Sequence, residues 1–246
     1  MKIFKYIPNT LTCLNLACGF LAIILAFQTY MQVYAAYLIF LAAIFDFLDG
    51  LSARMLNEFS ELGKQLDSLA DIVSFGVAPG ILAYQLITMS LGVVMVENKF
   101  FEIILLCLSA FIPIFSALRL AKFNIDERQV NTFIGLPTPA SALLIASFTI
   151  VLFFTTNMGL QEFLLRKSTL TILILLDSFL LVSNLPMFSL KIDSFTLKGH
   201  VTQFVFLGIS LIMLLVLKVF AFPLIIALYV LLSLIAYLFK PKTASI

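Results

Sequence analysis

Four aspartates near the start of the chain form the strongest chemical pattern in the sequence. Asp46 and Asp49 are three residues apart, and Asp67 and Asp71 are four apart, so each pair shares one face of a helix. If these helices are antiparallel neighbours joined by the short segment between them, all four carboxylates meet at one place. Carboxylates held this close repel each other unless a cation compensates their charge, and charged groups in apolar helices are typical of functional sites.

The donor atoms indicate a hard divalent ion. Oxygen-only ligands favour Mg²⁺, Mn²⁺ or Ca²⁺, and the lack of a neighbouring His or Cys in this stretch argues against zinc or copper. Mg²⁺ characteristically shares its coordination with substrate phosphates, so we expect a substrate with a diphosphate or a similar group. Gly50 and Ala53 would allow that substrate to approach the backbone closely. Arg54 and Lys64 are candidate cations for its phosphates.

The composition assigns these aspartates to a membrane protein. Of the 246 residues, 62% are hydrophobic and only 11% are charged, against about half and about a quarter in an ordinary soluble domain. The mean hydropathy is +1.14, which excludes a water-soluble globule. The formal net charge is only +2 and the 15 Lys and Arg are dispersed. Nucleic acid is therefore not an expected partner.

The hydropathy pattern predicts an all-α, polytopic transmembrane helical bundle of about eight spans, with residues 1–246 forming one transmembrane domain. The apolar segments are 11–28, 33–49, 67–91, 101–120, 137–156, 169–184, 201–217 and 219–239. The sixth is the weakest because it is short and carries Asp177, for which we expect a pairing or interfacial role. The last two form either a tight hairpin or one long bent helix. Pro79-Gly80 is expected to kink the third span.

The distribution of basic residues predicts the orientation. An even number of spans places both termini on one side of the membrane. If that side is the cytoplasm, it holds all the Lys and Arg except Lys99, Arg166, Lys167 and Lys218, which fits the positive-inside bias. We therefore expect an integral protein of the cell (inner) membrane whose aspartates face the cytoplasm. A cation-coupled transporter is a remote alternative, but it predicts carboxylates near mid-membrane and related chain halves.

The aspartates and their neighbours resemble a known signature. The pattern D-x-x-D-G-x-x-A-R-x8-G-x3-D-x3-D is matched at every fixed position, by Asp46, Asp49, Gly50, Ala53, Arg54, Gly63, Asp67 and Asp71. It is similar to the signature of the CDP-alcohol phosphatidyltransferases. The resemblance implies a membrane enzyme that displaces CMP from a CDP-linked lipid with an alcohol acceptor. The dimers of that family imply a homodimer.

The resemblance also implies roles for the aspartates. Asp46, Asp49 and Asp67 hold a divalent metal, Mg²⁺ or Mn²⁺, against the diphosphate. Asp71 takes part in the metal site and serves as the general base. Elementary chemistry agrees, because a metal-bound diphosphate makes CMP a competent leaving group and only modest help from a base is then needed.

A second set of residues is expected around the CDP-lipid. The resemblance implies that the glycines, Ala53 and Arg54 lie around the cytidine and the phosphates. Three polar residues of the first helix, Asn9, Thr12 and Asn15, lie on one stripe. They either line the nucleotide pocket or make interhelical hydrogen bonds. The complete predicted set is Asn9, Thr12, Asn15, Gly50, Ala53, Arg54, Gly63 and Lys64.

Four further stretches favour serine as the acceptor. They resemble the phosphatidylserine synthases of the integral-membrane type, and they read PNTLTCLNLACGF (8–20), LRLAKFN (118–124), FIGLPTPA (133–140) and LLVSNLPMFSLK (180–191). The implied reaction transfers a phosphatidyl group from CDP-diacylglycerol to the hydroxyl of L-serine. Lys122 departs from that subfamily, which more often has Arg there, so the charge is kept and the bidentate fork is lost.

The expected serine-binding residues are Arg119, Lys122 and Asn124. Arg119 and Lys122 are three apart at a helix end and could meet the serine carboxylate, with Asn124 as a neutral hydrogen-bonding partner. Other readings stay open. Glycerol 3-phosphate or inositol phosphate would also need two cations, the donor could be an ether lipid, and basic residues at a span end also serve topology alone.

Overall fold

The computed structural model describes residues 6–28, 30–56, 58, 60–93, 99–125, 133–188 and 201–238, and these are almost entirely helical. The helices are α1 Ile7–Ala26, α2 Gln32–Leu56, α3 Glu61–Asp71, α4 Ala78–Val93, α5 Lys99–Leu108, α6 Phe111–Ile125, α7 Thr138–Phe154, α8 Met158–Leu164, α9 Lys167–Val182, α10 Val201–Leu217 and α11 Ala221–Leu238. A π-helical turn, Ile72–Val77, joins α3 to α4, and a 3₁₀ turn, Lys218–Phe220, joins α10 to α11. Two short strands, β1 Phe133–Ile134 and β2 Pro186–Met187, pair antiparallel.

Five described helical stretches are long and apolar enough to cross a membrane: Ile7–Ala26, Gln32–Leu56, Glu61–Gly92, Lys99–Ile125 and Thr202–Leu238. The last of these stretches comprises α10, the 3₁₀ turn and α11. Each of the eight predicted segments contains a helix, so the predicted all-α membrane fold is confirmed. The weak sixth segment is α9, which has 16 residues. The seven-residue helix α8 was not predicted because it is too short to give an apolar window.

The helices α1 and α2 form an antiparallel hairpin along a seam of small side chains. Ala22 and Ala26 of α1 and Ala35, Ala36 and Ala42 of α2 are almost fully buried. Small residues allow two helix backbones to approach closely within a membrane. The hairpin therefore brings the beginning of α1 beside the end of α2, where the first aspartate pair lies.

The third span departs from α-helical geometry directly after Asp71. The kink predicted at Pro79-Gly80 stays a prediction, and the structure shows a π-helical turn just before the proline. Because Pro79 has no N–H, the carbonyl of Phe75 loses its α-helical donor, and the hydroxyl of Ser116 on α6 approaches it at 3.5 Å. Gly80 leaves room for α6, since an added Cβ would lie 2.8 Å from Cδ of Pro113.

The last two helices form the tight hairpin rather than one bent helix. Phe206 of α10 and Tyr229 of α11 stack edge to face, with ring centroids 5.9 Å apart. The chain reverses at Lys218, which has a positive φ of 51°. This hairpin packs onto the strand pair through a second apolar cluster that includes Leu136 and Met187. It therefore covers the side of the bundle formed by α7 and the strand pair.

Asp177 has the pairing role expected for it. The residue is 1% exposed, and its Oδ2 accepts a hydrogen bond of 2.6 Å from the hydroxyl of Ser141. The contact joins α9 to the first turns of α7. Ser141 thus partners one oxygen of this buried carboxylate, while its Oδ1 is buried without a hydrogen-bond partner among the described residues.

Candidate active site

Three of the four predicted aspartates converge between α2 and α3. Asp46, Asp49 and Asp67 each offer a carboxylate oxygen, and these atoms all lie within 4.8 Å of one another. Asp71 is not a member of this group of three, but it lies close enough to Asp46 and Asp67 to interact with their charges. The predicted site of four carboxylates is thus a group of three with Asp71 beside it.

The group of three suits a hard divalent cation. Asp49 is buried, and Asp46 and Asp67 are half-buried, so their mutual repulsion is poorly screened by water. Among the described residues, Oδ1 of Asp67 is buried and has no hydrogen-bond partner. Carboxylate oxygens are the ligands that Mg²⁺ and Mn²⁺ prefer. The residues present therefore fit such an ion, which would supply the missing partner and the missing charge.

Helix α1 holds both aspartate pairs in place. The hydroxyl of Thr12 donates a hydrogen bond of 2.7 Å to Oδ2 of Asp49, and the amide of Asn15 donates one of 3.2 Å to Oδ1 of Asp71. Asn15 is completely buried and does not line the cavity in front of the aspartates. Of its two predicted roles, the structure shows the interhelical hydrogen bond, and the role of Asn15 in binding the CDP-lipid stays a prediction.

The π-helical turn presses tightly against α1 at the level of Asn15. The hydroxyl of Ser74 donates a hydrogen bond of 2.9 Å to the backbone oxygen of Asn15. One turn further along α1, a Cβ added to Gly19 would lie 2.7 Å from Cα of Ser74, so only glycine fits this contact. The position of Asn15, and through it that of Asp71, therefore depends on this close approach.

A cavity of about 450 Å³ opens in front of the carboxylates, between the start of α1, the end of α2 and the start of α3. All members of the predicted CDP-lipid set except Asn15 lie along it. Its lining comprises Pro8, Asn9, Thr12, Asp49, Gly50, Ala53, Arg54, Glu58, Ser60, Gly63, Lys64, Asp67 and Phe123. The predicted residues, which come from three helices, thus form one continuous surface.

The two glycines of the cavity lining, Gly50 and Gly63, have different structural roles. A Cβ added to Gly50 would meet no atom within 4 Å, so this position keeps free space in the cavity. A Cβ added to Gly63 would lie 3.0 Å from Oδ1 of Asn9 and from Oγ of Ser60. Ser60 caps α3 by accepting a hydrogen bond of 3.0 Å from the Gly63 N–H. Gly63 therefore serves the contact between α1 and the capped start of α3.

The cavity lining carries both signs of charge. It contains the carboxylates of Asp49, Glu58 and Asp67 and the cationic side chains of Arg54 and Lys64. A diphosphate carries negative charge that basic side chains can bind directly and that carboxylates can bind only through a metal ion. The cavity is therefore suited to a metal-bound diphosphate with its outer oxygens turned to the cations.

Arg119 of α6 approaches the carboxylates from another side. It is only 7% exposed and interacts electrostatically with Asp71 and Asp46. Its Nη1 donates a long hydrogen bond of 3.4 Å to the hydroxyl of Thr138, and its guanidinium lies 5.5 Å from the ring centroid of Phe123. Within the described part of the chain its Nε is buried without a partner. A charge this deeply buried does more than set topology.

The other two predicted acceptor residues do not join Arg119. Lys122 is exposed, and the amide of Asn124 donates a hydrogen bond of 3.0 Å to the hydroxyl of Ser68 on α3. Sequence reasoning missed Thr138, which lies in the FIGLPTPA stretch and contacts Arg119 directly. It also missed Tyr229, which interacts electrostatically with Arg119 and whose hydroxyl donates to the backbone oxygen of Phe188 at 3.1 Å.

Comparison with known proteins shows which family the chain is similar to. Residues 5–180 match the family model for CDP-alcohol phosphatidyltransferase. The CDP-diacylglycerol–serine O-phosphatidyltransferase of Bacillus subtilis is 41% identical over 148 residues, 59% of this chain and 77% of its own length. The enzyme of the same name from Helicobacter pylori is 32% identical over 204 residues, 82% and 80% of the two chains. The archaetidylserine synthase of Methanothermobacter thermautotrophicus is 34% identical over 154 residues, 62% and 61% of the two chains.

Proposed function

Because the chain belongs to the CDP-alcohol phosphatidyltransferase family, we propose that it transfers a phosphatidyl group from CDP-diacylglycerol to the hydroxyl of L-serine and releases CMP. Relatives from Bacillus and Helicobacter carry the name of this reaction. Serine is also the acceptor in the name of the archaetidylserine synthase, whereas the lipid in that name differs. The relatives therefore support the acceptor more uniformly than the lipid part of the donor.

The observation that carries the proposal is the group formed by Asp46, Asp49 and Asp67, of which Asp49 and Asp67 line the cavity. We propose that these carboxylates hold Mg²⁺ or Mn²⁺, with Asp71 beside them. A bound divalent cation neutralises the diphosphate and makes CMP a better leaving group. Thr12 keeps Asp49 oriented toward this position through its hydrogen bond.

The chain's own residues bind and orient the nucleotide. Arg54 and Lys64 bind the phosphate oxygens, and Gly50 and Ala53 leave the space in which the CDP group lies against the end of α2. Asn9 offers its side-chain amide at the beginning of α1. The acyl chains of the donor remain in the bilayer while its head group enters the cavity.

Asp71 is the proposed general base. The hydrogen bond from Asn15 fixes its carboxylate, and its place outside the group of three leaves it available to accept a proton. In the transfer, the serine oxygen forms a bond to the phosphorus bearing the diacylglycerol. The bond from that phosphorus to the CMP oxygen breaks, and the serine hydroxyl proton passes to Asp71.

Arg119 is the proposed partner of the serine carboxylate. It is buried near Asp71, and its unpartnered Nε can join a second N–H in a fork onto a carboxylate. Lys122, at the surface, attracts anionic substrates in this proposal. Asn124 fixes the end of α6 to α3 through Ser68.

The protein is an integral membrane protein by its family and its apolar helices. We further propose that it lies in the cell (inner) membrane with its active site facing the cytoplasm, where the positive-inside bias places the basic loops.

The family match stops at residue 180, and we propose that the single domain also includes α10 and α11. This extension is supported by the packing of Tyr229 against Phe188. The homodimer stays a prediction.

The test is CMP release by the purified protein in detergent, with CDP-diacylglycerol and Mn²⁺ or Mg²⁺. L-serine is compared with glycerol 3-phosphate and inositol phosphate. We expect release to depend on L-serine and on the metal. Release with only another acceptor would contradict the proposed acceptor while keeping the transferase. No release with any acceptor, in protein shown to be folded, would contradict the transferase itself.

A further inference from the structure

A second cavity, of about 530 Å³, lies at the far end of the bundle from the carboxylates. It opens where the end of α4 meets α8 and the start of α9, and Ser90 of α4 forms part of its wall. At about 1.5 Å per residue, Ser90 lies about 28 Å along the third span from Asp71. That distance is close to the thickness of the hydrocarbon core of a bilayer, about 30 Å. The second cavity is therefore placed at the opposite membrane interface.

The start of α9 presents several hydrogen-bond donors to this cavity. Arg166 is the N-cap residue and its side chain makes no capping hydrogen bond, so the first N–H groups of the helix are not satisfied by that side chain. Arg166, Lys167 and Ser168 all belong to the cavity lining. The positive end of the helix, two cationic side chains and a hydroxyl thus face the same space, an arrangement that favours an anion.

Ser90 supplies an independent indication of a ligand. The residue is only 2% exposed, and among the described residues its hydroxyl oxygen is buried without a hydrogen-bond partner. A serine within a helix commonly satisfies its hydroxyl by donating to the carbonyl four residues earlier. A buried hydroxyl without a partner is costly. An acceptor oxygen entering the cavity would remove that cost.

We propose that this cavity binds the phosphodiester of an anionic phospholipid at the membrane face opposite the active site. Two apolar side chains, Leu165 and Met158, also line the cavity, and Met158 is 84% exposed. Acyl chains attached to a bound phosphate would pass over these side chains. Their presence favours a lipid over free inorganic phosphate.

The charge of the cavity also selects the kind of phosphate. Glu162 contributes one carboxylate to a lining that also contains Arg166 and Lys167. That carboxylate repels a doubly charged anion more strongly than a singly charged one. A phosphodiester carries one negative charge at neutral pH, whereas a phosphate monoester carries nearly two. Glu162 therefore favours the diester of an ordinary phospholipid and disfavours inorganic phosphate.

The experiment is a lipid titration of the delipidated full-length protein in detergent, followed by native mass spectrometry. Phosphatidylglycerol is compared with phosphatidylcholine, and inorganic phosphate is added as a competitor. We expect phosphatidylglycerol to bind more tightly, and the double substitution Arg166→Gln and Lys167→Gln to weaken its binding about 30-fold. Ser90→Ala should weaken it to a smaller extent. Lys218→Gln, which removes an exposed charge outside the cavity, is the matched control and should bind like the parent protein.

Measuring CMP release distinguishes a variant that has lost the lipid-binding cavity from one that has lost its fold. The doubly substituted protein should release CMP with L-serine at the parent rate in detergent, because neither residue lines the active-site cavity. If the double substitution prevents folding, Arg166→Gln alone carries the test, since Arg166 is exposed. Equal affinity for the two lipids, or unchanged phosphatidylglycerol binding by the folded variant, would overturn the proposal. Displacement of the lipid by millimolar inorganic phosphate would assign the cavity to the free ion instead.

Discussion

The side-chain amide of Asn15 donates a hydrogen bond of 3.2 Å to Oδ1 of Asp71. The two residues lie on the first and third helices of the chain, and both are buried. The same amide group leaves its own Oδ1 buried without a partner among the described residues, so Asn15 is held by its contacts to Asp71 and Ser74. Asp71 therefore has one fixed oxygen, which suits a carboxylate that must receive a proton at a defined position.

The first prediction concerns Asp71 as the base. Asp71→Asn should lower turnover at least about 100-fold, because the amide cannot accept the serine proton. Affinity for CDP-diacylglycerol should be largely retained, since the residue lies outside the group formed by Asp46, Asp49 and Asp67. Initial rates of CMP release and binding of the CDP-lipid measure the two effects. Asn15→Ala should lower kcat with little change in the KM for CDP-diacylglycerol or in the KM for L-serine. Normal turnover by the Asp71→Asn protein would remove it from this role.

The second prediction concerns the support of the metal ligands. Thr12→Val removes the hydrogen bond to Asp49 and should raise the Mg²⁺ or Mn²⁺ concentration for half-maximal activity about tenfold. Thr10→Val is the matched control, because the Thr10 hydroxyl is exposed and donates only to the backbone oxygen of Tyr6. Metal titrations of CMP release compare the two. Equal metal requirements for both variants would mean that Thr12 does not orient a metal ligand.

The third prediction concerns recognition of serine. Arg119→Lys keeps the buried positive charge near Asp71 but loses the guanidinium fork, so the KM for L-serine should rise about tenfold. The KM for CDP-diacylglycerol should change little. Lys122→Gln serves as the comparison, since Lys122 is exposed and its loss should affect the serine KM far less. An unchanged serine KM in the Arg119→Lys protein would place the carboxylate site elsewhere.

The fourth prediction concerns the contact between α1 and the π-helical turn. Gly19→Ala forces a Cβ against Ser74 and should lower the free energy of unfolding by about 1–3 kcal/mol. Gly92→Ala is the matched control, because a Cβ there meets no atom within 4 Å and alanine is favoured in a helix. Thermal unfolding in detergent measures both. Equal stability of the two proteins would show that α1 can shift away from the π-helical turn without cost.

The fold and the composition of the main cavity follow from local patterns. Long apolar segments predict the helices, and the spacing of the aspartates predicts the shared faces of α2 and α3, because both depend on neighbours a few residues apart. The identities of Gly50, Ala53 and Arg54 beside the aspartates likewise predict the lining of the cavity. These features could be predicted because each depends on a single helix or on two consecutive ones.

The contacts that could not be predicted join helices distant in the chain. The pairing of Asn15 with Asp71 and the position of Thr138 beside Arg119 depend on how α1, α3, α6 and α7 pack. The spacing of Arg119 and Lys122 suggested a shared role, but packing buries the first and exposes the second. Helical periodicity places residues on a face and does not say which face a later helix covers.

The hydrogen bonds from α1 limit what the aspartate stretch can do by itself. Residues 46–71 contain every fixed position of the signature, yet Thr12 and Asn15, which orient one aspartate of each pair, lie upstream of it. Transplanting α2 and α3 alone into an unrelated helical scaffold would therefore transfer the ligands without their supports. A portable version of this centre needs three helices, with the two polar residues of α1 carried along as part of the graft.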